Sequence, residues 1–160
     1  MYQKIKNYYI KEETVLTIGQ FAVLWGMIEE KYYNKCCTAA KLSNTVICAP
    51  SWQLVLYADE IKRELFAINP SKDSSQFRRK LCIRRPDQGF WPQIERFLMN
   101  DAVNENEKIF AALCICFRIR NNMFHGEKIF WLINDQKDLL DSCARFMNEL
   151  LMGEDVILVR

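Results

Sequence analysis

Apolar residues recur every three to five positions along most of this chain, and strict alternation is scarce, so the pattern predicts helices. A first helix is expected from about Thr14 to Asn34, with Leu16, Phe21, Leu24, Trp25, Ile28 and Tyr32 as its stripe. Pro50-Ser51 opens a second, with Ser51 as N-cap and Val55, Ala58, Ile61, Leu65 and Phe66 turned inward. The polar stretch Asn69–Ser75 breaks it, and Pro86-Asp87-Gln88-Gly89 reads as a turn. A short helix over Pro92–Asn100 carries Ile94, Phe97 and Leu98. Asn104 then caps a long helix with Glu105 and Glu107 in its first turn, where the helix dipole favours acids. Asp135 is expected to cap the last helix, which buries Leu139, Leu140, Cys143, Phe146, Met147 and Leu150 and stops at Gly153. Three stretches stay open. Cys37–Ala49 reads as a short helix and a loop, Lys128–Ile133 as strand or helix, and 154–160 as a strand-like arm or disorder. The expected architecture is an all-α, single-domain helical bundle over 1–160 with about five main helices.

Composition adds bounds. Half the residues are hydrophobic, with ten Phe, six Tyr and four Trp, enough for a core. A net charge of +2 does not by itself imply a polyanion partner, though a local basic patch would. The polar opening MYQKIKNYYIKEET is unlike a signal peptide, and no run approaches the ~20 apolar residues of a membrane span. A cytoplasmic protein without membrane contact is therefore expected. Seven cysteines lack C-x-x-C spacing, and one histidine is present, so reduced thiols are expected in place of a metal site. No cofactor is implied.

That one histidine, His125, sits in Arg120-Asn121-Asn122-Met123-Phe124-His125-Gly126. Imidazole is the side chain whose unperturbed pKa suits proton transfer near neutral pH. On a wheel of the long helix, Ile109, Leu113, Cys116, Phe117 and Phe124 share one side, and Arg120 falls ~20° from Ile109. Arg118 falls opposite, on the side expected to face water. A guanidinium on an apolar stripe needs a partner or an interface. Glu29, Glu30 and Asp59 are candidate partners, and of the adjacent pair Glu29 and Glu30 only one is expected to reach. Asn121 and His125, four apart, are neighbours on a helix face. Gly126 is a common terminator, and the negative end of the dipole would favour a protonated His125. An arginine fork suits phosphate, and a protonated imidazole suits a leaving oxygen. The structural alternative is a histidine C-cap and a paired arginine.

The run RNNMFHG, ending a helix late in a helical chain, resembles the HEPN superfamily, and with Lys128 following it is most similar to the Apea-like branch. The resemblance implies a HEPN-type bundle and a metal-independent endoribonuclease acting as a homodimer through the motif-bearing helix. It implies Arg120 and His125 as catalytic and Asn121 as their support, in a toxin or antiviral defence role. An antitoxin or regulatory protein is a possible partner. Some HEPN toxins carry a tyrosine two residues past the histidine that a partner enzyme modifies; Glu127 stands there in this chain, so the resemblance does not extend to that control. Some members are inactive modules that bind nucleotide, RNA or protein. One chain supplies one imidazole, whereas transesterification by an RNA 2′-hydroxyl needs a base and an acid. Two chains related by a two-fold axis would supply both.

Candidate RNA contacts lie around the motif and before it. Asn122 lies within the motif and Lys128 just past it. Arg78, Arg79, Arg84 and Arg85 belong to a basic run that reads either as an RNA track or as a solvated helix end. Core packing is the expected role of Trp52, Trp91 and Trp131, with base stacking the alternative.

Overall fold

A computed structural model describes residues 2–5, 8–124 and 133–160. His125, Gly126, Glu127, Lys128 and Trp131 lie outside the described residues, as does all but Ile133 of the stretch Lys128–Ile133 left open above. The chain starts with antiparallel strands β1 (Tyr2–Ile5) and β2 (Tyr8–Lys11), paired from Tyr2↔Lys11 to Ile5↔Tyr8. Seven α-helices follow among the described residues, confirming an all-α bundle: α1 Glu12–Tyr32, α2 Ala39–Ser43, α3 Trp52–Ile68, α4 Ser74–Lys80, α5 Trp91–Met99, α6 Glu105–Phe124 and α7 Lys137–Met152. Strands β3 (Thr45–Ile47) and β4 (Ile157–Val159) form a second antiparallel pair.

The helix starts follow side-chain chemistry. Ser51 Oγ accepts from the Leu54 amide at 3.2 Å, as expected of the N-cap of α3. At α6, Asn104 Oδ1 accepts from the Glu107 amide and Glu107 Oε2 accepts from the Asn104 amide, both at 2.9 Å, which is a reciprocal capping box. Asp135 does not cap α7. It lies inside a 3-10 turn, Ile133–Gln136, that leads into the helix, and Gln136 takes the cap position. The tail is a strand, not a disordered arm: Gly153 ends α7, and the chain turns so that β4 meets β3. A Cβ on Gly153 would stand 2.5 Å from a Val156 methyl, so the close turn needs glycine.

Helix α6 runs through the middle of the bundle, packed against α3, α5, α7 and α1. Its side chains from Ala111 to Ile119 are all buried, so the middle of this helix has no solvent side, whereas its first turn is open at Glu105 and Asn106. Trp25 and Phe90 each pack on Phe117, with ring centroids 6.0 and 5.9 Å apart. Parallel to α7, α1 buries Phe21, Trp25 and Ile28 and leaves Leu16, expected in its stripe, exposed. Of the tryptophans expected in the core, Trp91 is buried and Trp52 stands out into solvent. No helix among the described residues is long and apolar enough to cross a membrane.

The cysteines are unpaired thiols in the described structure: Cys36 and Cys48 are exposed, while Cys37, Cys114, Cys116 and Cys143 are buried. Burial, reinforced by the nearby Glu29, pushes the Cys37 thiol up to about 12. A group whose pKa rises on folding adds stability fully below its unfolded value, roughly 8.5, and loses it as pH climbs through the folded value. Stability is therefore expected to fall above about pH 9. In a thiol titration at pH 8, Cys36 and Cys48 should react in the native state. Cys37 should wait for unfolding, and a Cys37 as fast as its neighbour Cys36 would contradict the packing around Glu29.

Candidate functional site

The last two turns of α6 carry four polar side chains, Arg118, Arg120, Asn121 and Asn122, that sort to two sides. Arg118 is buried, contrary to the expectation that it faces water. The reason is the all-round burial of α6: a wheel that assumes one wet face fails in a central helix. Its guanidinium lies 3.1 Å from Asp87 Oδ2 and donates to the Leu81 and Cys82 carbonyls at 3.1 and 2.7 Å. Burial draws the Arg118 pKa down from its ordinary value, and Asp87 opposes that shift. Asn122, expected to touch RNA, is buried as well. Its Oδ1 accepts from Arg118 at 3.0 Å and its Nδ2 donates to the Leu81 carbonyl at 3.1 Å. Asn122 is thus committed to the fold, because leaving either end of a buried amide unbonded costs about 1–3 kcal/mol.

Arg120 sits on the other side of the helix, and its side chain is 33% exposed. It lines a cavity of about 360 Å³ with Ala22, Trp25, Gly26, Glu29, Glu30 and Lys35. The guanidinium donates to Asn121 Oδ1 at 3.0 Å and lies 3.6 Å from Glu29 Oε1. Glu29 is itself held: Trp25 Nε1 and the Cys37 amide both donate to its carboxylate. One of the two adjacent acids is therefore the partner, as sequence spacing required, and Glu30 stays exposed on the rim. No family model matches this chain, and neither does any curated protein or solved structure.

The structure thus brings Arg120 and Asn121 together and sets them beside α1. His125 and Lys128 lie outside the described residues. Lys35, which sequence reasoning missed, reaches the cavity because Asn34 and Lys35 adopt left-handed backbone (φ 49° and 69°) after α1. No local pattern marks that residue, since its role depends on a contact across helices. The cavity carries two cations, Arg120 and Lys35, and two acids, Glu29 and Glu30. Cys37 is no nucleophile here, being buried and held as a neutral thiol. No group of three or more metal-ligating side chains is gathered among the described residues.

Arg78, Arg79, Arg84 and Arg85 are all exposed and lie apart from this cavity, on the far side of the end of α6. Arg78 lies 5.9 Å from the centroid of the Trp91 ring. Trp91 is itself buried and offers no open face for a base.

Proposed function

We propose that this chain is a metal-independent endoribonuclease of HEPN type, dimeric at work and serving as a toxin or antiviral defence effector. The observation that carries this reading is Arg120. It is a partly exposed arginine just past the buried middle of its helix, oriented by Asn121 and Glu29 on a cavity rim, five residues before the sole histidine. A guanidinium fixed in advance stabilises developing charge on a phosphate without reorganising at the moment of reaction. The 2′-oxygen attacks the adjacent phosphorus, the bond to the 5′-oxygen breaks, and a 2′,3′-cyclic phosphate and a 5′-hydroxyl result. His125 of one chain takes the 2′-hydroxyl proton, and His125 of the other protonates the leaving oxygen. Arg120 holds the non-bridging oxygens, and Asn121 orients it. With α6 buried from Ala111 to Ile119, the motif-bearing turn at its end is where this reading puts the second copy.

One observation favours a second reading. The Arg120–Glu29 pair and the balanced charge of the cavity suit a non-catalytic module that binds nucleotide, RNA or a protein partner. Mixed RNA incubated with the protein in EDTA separates the two. Cutting that survives chelation and disappears in both Arg120→Ala and His125→Ala supports the enzyme. Binding without cutting supports the module.

A further inference from the structure

Five of the eight residues from Arg78 to Arg85 are basic and none is acidic. No other eight-residue stretch of the chain is as basic. The acid next to the run, Asp87, turns inward: its carboxylate accepts from the Arg84 amide at 2.8 Å and pairs with buried Arg118. The backbone beneath the run is clamped. Arg118 and Asn122 hold the Leu81 and Cys82 carbonyls, Cys82 takes a left-handed φ of 51°, and Lys80 is tied to the Ile68 carbonyl. Arg78 is braced by Trp91. A solvated helix end would need none of this.

The clamp also fixes the ridge relative to the candidate site. Arg120 lies ~160–200° around α6 from Asn122 and Arg118. The ridge and Arg120 therefore flank the last turn of one helix, whose width with side chains is about 10–12 Å. We infer that the Arg78–Arg85 ridge is a rigid track for the phosphate backbone of single-stranded nucleic acid, delivering the strand across the end of α6 to Arg120. The inference rests on the ribonuclease reading for its choice of partner. Because no aromatic face is open on the ridge among the described residues, recognition runs through phosphates, and base sequence and the 2′-hydroxyl matter little to it.

The test is anisotropy of a labelled mixed-sequence 16-nucleotide RNA and the matching DNA across a salt series. DNA lacks the attacking hydroxyl, so it reports binding with no turnover under the proposed chemistry. The quadruple variant R78A/R79A/R84A/R85A should bind both at least tenfold more weakly. Its log-affinity slope against log salt should be shallower by about 3, at ~0.7 per lost phosphate contact on a single strand. The quadruple Arg→Lys variant should retain binding, and thermal melting checks that all variants fold. Unchanged affinity in the folded Arg→Ala quadruple overturns the inference. So does loss of binding to phosphatidylserine vesicles with RNA binding intact, which would assign the ridge to a membrane surface. The two readings fail separately: a ridge that binds RNA that is never cut sinks only the nuclease, and RNA cut by a protein whose ridge is dispensable for binding sinks only the track.

Discussion

Replacing Arg118 by leucine is expected to destabilise the fold by about 3–5 kcal/mol, the usual effect of stripping one partner from a buried ion pair. Asp87→Asn should fall at the same end of the scale as other disruptive changes. Both side chains are almost wholly buried, at 4% and 3% exposure, so water cannot take over for the missing partner. Leucine would leave the Asp87 carboxylate, the Leu81 and Cys82 carbonyls and Asn122 Oδ1 short of a donor together. Asparagine at 87 would leave a buried guanidinium without a counter-charge. Substituting both residues with apolar ones of similar volume should cost less than the two single changes added, because no uncompensated charge remains. Urea unfolding monitored by circular dichroism measures all three. Single-variant losses under 1 kcal/mol would mean that the network does not hold α6 to the segment after α4.

The other large effect concerns activity. Arg120→Ala should lower RNA cleavage about 10²–10³-fold, the scale for losing a preorganised donor to a developing oxyanion. His125→Ala should lower it about 10²–10⁴-fold, the range for general acid–base groups. Arg120→Lys should recover little, since a single ammonium cannot engage Asn121, Glu29 and a phosphate as a planar fork does. Thermal stability should barely change in Arg120→Lys, because the side chain is partly solvated and exposed ion pairs contribute at most about 1 kcal/mol. A rate loss with an unchanged melt separates chemistry from structure.

Local chemistry and periodicity explain what the sequence revealed. The Ser51 and Asn104 caps depend on hydrogen bonds within three residues, and α7 shows a regular apolar face, so these needed no tertiary knowledge. Strand β3 was illegible, and β4 was readable only as one of two alternatives, because each is three residues long and gains its partner from a segment more than a hundred residues away. Arg118 was misplaced for a related reason. Periodicity ranks the faces of a helix, but only the neighbours decide whether a second face is buried, and α6 has neighbours on every side. The buried Asp87 in what read as an ordinary polar turn was the missing clue. At the site, the arginine's need for an acid was readable and Glu29 was among the named candidates. Choosing it required α1 and α6 side by side. Trp52 and Trp91 were indistinguishable by residue type and ended in opposite environments.

The most direct measurement is the chemistry of the ends left on RNA cut by the wild-type protein in EDTA. Attack by the 2′-hydroxyl predicts 5′-hydroxyl ends opposite 2′,3′-cyclic phosphates or their hydrolysed form, and no cutting where the ribose before the scissile bond is 2′-deoxy. Ends bearing 5′-phosphate and 3′-hydroxyl, or continued cutting at a 2′-deoxy position, would contradict it.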